Sequence, residues 1–374
     1  MEEHLDVVNH VVMPGDMRIP GMLRQPRQKI AESMQASYAA LFEESRGSLS
    51  QSLRFNAASD VARLSGQPEL AGFYSGRAEH AQDSTAGETV ALKEAVLSHV
   101  HGVTLHPSQR RAEDLAALGA AGLSQYDIIT LSQLIGFVAF QSRVVTGVQA
   151  LCGHAAPTEP APLPRLEIRP GFTADTIEWS SWLSPLDIES ASAEQLAVLD
   201  ESGPSARQSP YYLTLVHNAK VLQKRSETYN AVMYAPGGLS RVDREMSALV
   251  VSVVNGCHYC ASVHAQRLNQ LSRRTDLSAT VMADPLAASL TPKERAVSEF
   301  AIRLTLAADA FGCNDLSALR DLGVSDAEIL DLIHVVAIFG WANRLMLTLG
   351  QPANLHAIAP AATIEATAGG VNHG

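Results

Sequence analysis

The sequence predicts an all-α protein built from two copies of one helical domain, of which the first is degenerate. Three observations lead to this prediction. Strand-like alternation of apolar and polar residues is scarce, and the long apolar runs exceed the length of a strand. Helix-start signals are well marked in a chain rich in Ala, Leu and Val, with only 5% aromatic residues. Finally, blocks of the first half recur in the second.

The domain layout follows from length and from proline. A chain of 374 residues is long enough for two domains. Its first residues show no basic segment followed by an apolar one, so we expect no signal peptide. The segment from about Ala155 to Pro170 holds five prolines and is predicted to be an extended linker, because proline removes backbone donors. The predicted layout is a degenerate helical domain without a cysteine pair at 1–154, a Pro-rich linker at 155–185 and a second helical domain with the CxxC pair at 186–374.

Helix starts are clearest in the second half. "TPKE" from Thr291 offers an N-cap hydroxyl, proline at the first helical position and glutamate at N3. "SDAE" from Ser325 repeats this capping box before an apolar run. Met246 to Val254 is apolar on almost every side, which predicts a buried helix. The run from Ile329 to Leu349 contains His, Asn and Arg, and indicates a buried helix rather than a membrane span.

The internal repeat rests on several blocks. "GVSDAEILDLIHVVAIFGWANRL" from Gly323 has a counterpart in "GLSQYDIITLSQLIGFVAFQSRV" from Gly122, which pairs Arg344 with Arg143. "LTPKER" is paired with "LHPSQR", and "LSRVDREMSALVVSVVNGCHYCASVH" with "LSQSLRFNAASDVARLSGQPELAGFY". We interpret this as a duplicated helical domain.

The two copies differ in their chemistry. Polar and thiol residues of the second copy are replaced in the first. The first copy has Phe55, Gln67, Leu70 and Tyr74 at the positions aligned with Glu245, Cys257, Cys260 and His264, respectively. The first copy is therefore predicted to be structural.

Charge and cysteine content narrow the class of protein. The net charge of −11 argues against a nucleic-acid surface, which needs basic clusters to displace counterions. Four cysteines do not make a disulfide framework, and two of them stand together in "CHYC". This usage fits a reducing cytoplasm and a catalytic or metal-binding pair, so we expect a cytoplasmic protein without membrane or nucleic-acid partners.

The stretch "NGCHYCASVH", from Asn255 to His264, carries the chemistry. Gly256 tolerates the left-handed conformation that ends many helices, so a new helix should begin near Cys257. The dithiol would then lie at a helix N-terminus, where backbone N–H groups favour a thiolate. Residues three and four apart share a helix face, so His264 could exchange a proton with the sulfur of Cys260.

Other interpretations of the pair are possible. A zinc site would need four ligands, and C-x-x-C-x-x-x-H supplies three. A structural disulfide between residues three apart would constrain the unfolded chain little. An incidental buried pair does not explain the histidine one turn later. A redox dithiol is the favoured interpretation.

Two further candidates have both a structural and a functional interpretation. Glu245 could be an exposed residue paired with Arg241, or an inward carboxylate with a pKa raised by burial that serves as base for the first thiol. His334 could reach the same pocket from the last helix, or could be a satisfied core residue. The sequence leaves both alternatives open.

Glu245, "NGCHYC" and His264 together resemble the signature of the alkylhydroperoxidase D-like branch of the carboxymuconolactone decarboxylase superfamily. The blocks "LTPKER" and "SDAEILDLIHVVAIFGWANRL" are similar to later helices of that family. The resemblance covers 209–350 and, as a degenerate copy, 18–153. It implies duplicated alkylhydroperoxidase D-like helical domains that assemble into trimers or hexamers of domain units.

The resemblance also implies a mechanism. Cys260 would attack the peroxide and become a sulfenic acid, and Cys257 would condense with it to a disulfide. Glu245 and His264 would relay protons. A dithiol reductant protein would restore the thiols, and neither cofactor nor metal would be needed.

Two departures from the family pattern bear on these expectations. Tyr259 precedes the second cysteine where family members can carry a relay histidine, so Tyr259, His258 and His334 are only candidates for a second shell. The fused first half is interpreted as a replacement for a neighbouring protomer. This predicts a homotrimer whose three chains form a six-domain ring.

The predicted function is therefore a cytoplasmic thiol peroxidase, an oxidoreductase that acts on hydroperoxides. One alternative is a lactone decarboxylase, which would need Glu245 and His264 but neither Cys257 nor Cys260. Others are thiol–disulfide exchange with a protein partner and a non-catalytic oligomeric scaffold with an unreactive dithiol.

Overall fold

Helices dominate the structure of the protein, a computed structural model. It describes residues 6–12, 18–43, 46–81, 88–156 and 162–353. Within these ranges the chain forms seventeen α-helices, seven short 3-10 turns and one two-stranded antiparallel sheet, which confirms the all-α prediction.

The first half holds eight α-helices. They are α1 (Val7–Val12), α2 (Arg18–Arg24), α3 (Gln28–Phe42), α4 (Gln51–Leu64), α5 (Pro68–Glu79), α6 (Val90–Leu105), α7 (Ala112–Ala120) and α8 (Gln125–Leu151). The remaining elements follow the linker or lie between helices. They are β1 (Trp179–Ser181), α9 (Ala193–Ser202), α10 (Pro210–Leu215), α11 (Ala219–Met233), α12 (Arg241–Val254), α13 (His258–Ser272), α14 (Thr275–Ala283), α15 (Pro292–Leu306), α16 (Ser317–Asp321), α17 (Asp326–Thr348) and β2 (Gly350–Pro352). The 3-10 turns are Gln25–Arg27, Pro107–Gln109, Ile188–Ser190, Ala206–Gln208, Val216–Asn218, Ala308–Ala310 and Cys313–Leu316.

The predicted helix starts are where the sequence placed them. Thr291 caps α15 in a capping box with Glu294, and Ser325 caps α17 in the same way with Glu328. These side chains satisfy backbone N–H groups that the first helical turn leaves unpaired. Helix α12 is buried along 243–253, as its apolar sequence predicts.

The two halves present their helices in the same order and with the same pairing. Helix α4 packs against α5, α6 and α8, and α12 packs against α13, α15 and α17. Helices α8 and α17 pack along each other and join the halves. This arrangement is what a duplication requires, and the duplication stays a prediction.

A reciprocal pair of arginines joins the halves. Arg143 on α8 donates to the carbonyl oxygen of Thr305 at 3.0 Å, and Arg344 on α17 donates to that of Thr104 at 2.7 Å. Each guanidinium thus meets the C-terminal end of a helix in the other half, where the helix dipole is negative. Burial lowers the pKa of Arg143 to about 10.

One of the paired blocks is not equivalent in the structure. "LTPKER" opens α15 at Thr291, whereas "LHPSQR" follows the end of α6 at Leu105 and contains the 3-10 turn Pro107–Gln109. The hydroxyl that caps α6, and so corresponds to Thr291, belongs to Thr89. The two blocks therefore share residues but form different local structures.

The central helices are apolar along their whole length. By length and composition alone, α8 and α17 could cross a membrane. The most apolar stretch of each helix is nevertheless buried inside the protein, to 100% in α8 and to 94% in α17. Core helices of folded domains pass the same test. The predicted buried helix over the Ile329–Leu349 run is confirmed.

Close approach of α8 and α17 should make Gly147 intolerant of a side chain. A Cβ at Gly147 would lie 2.5 Å from Cγ2 of Ile333, whereas one at the exposed Gly72 in α5 would meet nothing within 4 Å. Gly147→Ala is expected to lower the free energy of unfolding by about 1–3 kcal/mol through overpacking. The control Gly72→Ala should raise it by about 0.5–1 kcal/mol. Urea unfolding of both variants measures the difference, and a Gly147→Ala variant as stable as Gly72→Ala would contradict the packing.

The segment after the first half is not a free spacer. Residues 157–161 of the predicted linker lie outside the described residues, and 162–178 form neither helix nor strand. Ile168, Phe172 and Ala174 nevertheless pack against the core. Strand β1 follows within the predicted linker and pairs with β2, with Trp179 opposite Pro352.

Candidate functional site

The predicted helix break creates the centre of the site. Helix α12 ends at Val254, and Gly256 adopts a φ of 73°, the left-handed conformation that the sequence predicts. Cys257 is the N-cap of α13 and donates its backbone N–H to the carbonyl oxygen of Ser252 at 2.8 Å. Cys260 follows in the first turn, so both thiols lie where α12 meets α13.

The two thiols are adjacent but differ in environment. Cys257 and Cys260 are free cysteines whose sulfurs lie 2.7 Å apart. Burial raises the pKa of Cys257 well above its ordinary value, and the neighbouring sulfur of Cys260 adds to the effect. The expectation that the helix terminus favours a thiolate is therefore wrong for Cys257, because burial raises its pKa. Cys260 lines a cavity, and Cys257 lies behind it.

Glu245 on α12 and His264 on α13 form a buried pair. His264 lies one helical turn after Cys260. Nδ1 of His264 donates to the Glu245 carboxylate at 2.6 Å, and Arg241 donates to its other oxygen at 3.0 Å. Glu245 is only 1% exposed. Burial by itself would raise the pKa of this carboxyl, but His264 and Arg241 hold its pKa below the ordinary value.

The two interpretations of Glu245 are each right in part. The carboxylate points inward, as the functional interpretation requires, and it is paired with Arg241, as the structural interpretation requires. The raised pKa is wrong, because two donors favour the charged form. The Glu245 carboxylate accepts hydrogen bonds from His264 and Arg241, and no hydrogen bond joins it to either thiol among the described residues.

His264 presents its remaining nitrogen to the cavity. Its Nδ1 is held by Glu245, and the ring of Phe339 packs edge-on at a centroid distance of 4.5 Å. Both His264 and Cys260 line the same cavity, of about 500 Å³. A molecule in this cavity can therefore contact a sulfur and an imidazole together.

Two of the helices that form the cavity walls, α10 and α11, were not connected to the motif by the sequence. Residues of α10, α11, α13 and α17 line it, with the turn at 202–205. Five lining residues are tyrosines, namely Tyr211, Tyr212, Tyr229, Tyr234 and Tyr259. Among the described lining residues the charged ones are Arg225 and Arg267, and none is Asp or Glu.

Sequence reasoning missed Tyr211, Arg225, Tyr229 and Arg267. The spacing of Arg225 and Tyr229 by four residues on one helix was a signal that they share a face. The sequence could not show that this face of α11 meets the thiol-bearing face of α13.

Of the residues predicted to support the site, Tyr259 reaches the cavity and His258 does not. Tyr259 lines the cavity beside Cys260, and burial raises the pKa of its phenol. His258 points away from the cavity, stacks on Phe172 at a centroid distance of 4.4 Å and bonds the carbonyl oxygen of Pro170. Its role is to hold the linker segment against α13.

His334 does not reach the cavity, so its proposed place near the thiols is wrong. It lies on α17, one turn from Asp331, which binds Arg27 and Arg244. Burial, together with the charge of nearby Arg24, lowers the pKa of His334 to about 3.

The corresponding region of the first half is filled by aromatic rings. Phe55 and Tyr74 occupy the positions that match Glu245 and His264, and Phe42 stacks on Phe55 at a centroid distance of 4.9 Å. The Tyr74 hydroxyl bonds Gln141 at 2.5 Å. Apolar rings replace the acid–base pair here.

The ligand geometry that zinc needs is not assembled in the described part of the chain. No group of three or more His, Cys, Asp or Glu side chains there could hold a metal ion. The hydrogen bond between His264 and Glu245 commits the histidine nitrogen Nδ1 to a carboxylate.

A known family model matches part of the half that carries the dithiol. Residues 219–303 match the family model described as the carboxymuconolactone decarboxylase family, which confirms the resemblance over the range that includes both thiols, Glu245 and His264. No curated protein matches the chain.

Two solved structures are similar to parts of the chain. An alkylhydroperoxidase AhpD core from Ralstonia eutropha JMP134, described as an uncharacterised peroxidase-related protein, is 26% identical over 48% of this chain and 92% of its own, with a TM-score of 0.40. An uncharacterised peroxidase-related protein from Silicibacter sp. TM1040 is 25% identical over 55% of this chain and 98% of its own, with a TM-score of 0.37.

Proposed function

We propose that this protein is a thiol peroxidase that reduces hydroperoxides through a dithiol–disulfide cycle of Cys260 and Cys257. One observation carries the proposal. Cys260 faces a cavity together with His264, which Glu245 orients, and a second buried sulfur lies 2.7 Å behind it. This arrangement provides a nucleophile and a proton carrier that line one cavity, with a resolving thiol adjacent to the nucleophile.

The first half of the cycle consumes the peroxide. His264 accepts the proton of the Cys260 thiol through its cavity-facing nitrogen, and the Glu245 carboxylate stabilises the imidazolium. The thiolate attacks one peroxide oxygen, the O–O bond breaks, and Cys260 becomes a sulfenic acid. The departing alkoxide takes the proton back from His264 and leaves as an alcohol.

The second half restores the enzyme. The Cys257 thiol attacks the sulfur of the sulfenic acid, which forms the disulfide and releases water. The position of Cys257 suits this role, because the buried sulfur lies outside the cavity lining and next to the sulfur that becomes oxidised. An external dithiol then reduces the disulfide by exchange and is itself oxidised. The reductant protein, the homotrimer and the cytoplasmic location stay predictions.

Counting thiols tests the proposal. The reduced chain has four cysteines, and one equivalent of an organic hydroperoxide should remove two thiols, which a dithiol reductant should restore. A variant with Cys152→Ser and Cys313→Ser is the matched control and should lose both of its remaining thiols. Four thiols left after excess peroxide would refute the proposed cycle.

A lactone decarboxylase is the second candidate. The family description of residues 219–303 and the two arginines of the cavity favour it, since a lactone acid is an anion. Decarboxylation requires acid–base groups and no dithiol. Activity that survives the loss of both Cys257 and Cys260 but not of His264 would favour this candidate over the peroxidase.

A further inference from the structure

Arg225 is a buried cation that contacts two tyrosine rings but has no hydrogen-bond or ion-pair partner among the described residues. It lies on α11, is 5% exposed and lines the cavity. Its guanidinium carbon lies 5.6 Å from the ring centroids of both Tyr211 and Tyr229. Within the part of the chain that the structure describes, the guanidinium makes neither a hydrogen bond nor an ion pair, and its Nε is buried and unpaired.

Comparison with Arg244 shows how unusual this is. Arg244, which is also fully buried, donates to three backbone carbonyls and to the carboxylate of Asp331. Buried charges are as a rule paired or hydrogen-bonded, because desolvation is costly. The unpaired donors of Arg225 thus point to an anion that enters from the cavity.

The charge of the cavity agrees with this. The chain has 39 acidic and 28 basic residues, yet the charged residues that line the cavity are Arg225 and Arg267. The carboxylate of Glu245 lies behind His264 and is committed to His264 and Arg241. An anion in the cavity would therefore meet two cations and no lining carboxylate among the described residues.

Tyr211 supplies a second unpaired donor. Its hydroxyl is buried without a hydrogen-bond partner among the described residues, although the residue lines the cavity. Burial raises the pKa of Tyr211, and while Arg225 opposes this, the sulfurs of Cys260 and Cys257 add to it. Tyr211 thus lines the same cavity as Arg225 and Cys260, and its hydroxyl stays protonated as a donor.

The remaining walls suit an organic molecule. Tyr229, Phe339 and Met346 line the cavity beside His264. The volume of about 500 Å³ lies within the range of pockets for organic ligands and far exceeds the need of hydrogen peroxide. Aromatic rings and a thioether thus line the cavity together with hydroxyl groups and two arginines.

We infer that the cavity selects hydroperoxides that carry a carboxylate, with the carboxylate bound by Arg225 and the Tyr211 hydroxyl and the peroxide group placed at Cys260. This inference rests on the proposed function and names its substrate class. A planar carboxylate accepts two parallel hydrogen bonds from a guanidinium. Arg267 already donates to the Tyr234 hydroxyl, which leaves Arg225 as the unpaired guanidinium of the cavity lining. One unpaired guanidinium and one hydroxyl match a single negative charge, so a carboxylate is favoured over a phosphate ester.

A matched pair of substrates tests the inference. The kcat/KM of a medium-chain hydroperoxy carboxylic acid should exceed that of its methyl ester by roughly tenfold or more, because the ester lacks the charge-assisted hydrogen bonds. In Arg225→Gln this ratio should fall to about one, and Arg225→Lys should retain part of it. The control Arg207→Gln removes an exposed arginine that pairs with Asp200, and it should keep the wild-type ratio. Equal kcat/KM values for acid and ester in the wild type, or an unchanged ratio in Arg225→Gln, would overturn the inference.

If the Arg225 variants do not fold, ligand binding to the wild type tests the inference. The hydroxy acid that the reaction would produce should bind about tenfold or more tightly than its methyl ester, and equal binding would overturn the inference. Calorimetric titration measures this binding without turnover. If neither peroxide oxidises the thiols, the proposed function fails, and the hydroxy acid titration still decides whether the cavity binds carboxylates.

Discussion

Replacing Cys260 with serine should abolish peroxide turnover, with a fall in kcat/KM of about a thousandfold or more, because a serine hydroxyl is a far weaker nucleophile than a thiolate. Cys257→Ser should behave differently. The Cys260 sulfur still faces the cavity in this variant, so the first peroxide is reduced, but the sulfenic acid has no thiol to resolve it. We expect a burst of one peroxide per chain followed by arrest.

Rapid mixing with a hydroperoxide measures both results, and a 1,3-dione reagent that traps sulfenic acids identifies the arrested state. Cys313→Ser, which removes a cysteine outside the cavity, is the control and should turn over like the wild type. The reverse pattern, with arrest in Cys260→Ser and complete loss in Cys257→Ser, would show that the buried sulfur is the nucleophile.

Replacing Glu245 with glutamine should lower kcat/KM for hydroperoxides by about a hundredfold or more. The amide cannot stabilise an imidazolium, and it can bind the Nδ1 atom of His264 in the wrong tautomer. Glu113→Gln on the exposed face of α7 is the control and should leave turnover unchanged. Wild-type activity in Glu245→Gln would show that the carboxylate has no part in the chemistry.

The same substitution has a predicted effect on stability at low pH. The pKa of Glu245 is lower in the folded state than its ordinary value of about 4.3, so the unfolded chain takes up the proton first. The contribution of Glu245 to stability is therefore present above about pH 4.3 and is lost as the pH falls through the folded-state pKa. Urea unfolding between pH 6 and pH 3 should show a steeper loss in the wild type than in Glu245→Gln. Parallel curves would mean that Glu245 is not held as a charged group.

The local structure of the site could be predicted from sequence because its causes are local. Gly256 ends one helix, Cys257 caps the next, and Cys260 and His264 follow at helical spacing. The pairing of Glu245 with His264 was predicted only through the family resemblance. Nineteen residues and a helix break separate the two, and spacing along the chain does not give a distance across such a break.

The predictions from sequence were wrong where the environment of a side chain depends on several elements at once. Burial and the helix dipole act oppositely on Cys257, and the sequence gives no measure of how much water each sulfur contacts. His334 lies on an apolar helix that is buried on all sides, so periodicity could not tell which neighbour it meets. The shared letters of "LTPKER" and "LHPSQR" misled because a proline can follow a helix as easily as it can open one.

By itself the sequence determined the helical class, the helix caps and the dithiol motif, since these depend on residues within one or two turns of each other. Only the tertiary structure decided which sulfur faces the cavity, which charge state Glu245 prefers, and that Arg225 and Tyr211 bring unpaired donors to the thiols. Burial and electrostatic interaction depend on distances between separate helices, and those distances exist only after α10, α11, α13 and α17 have packed together.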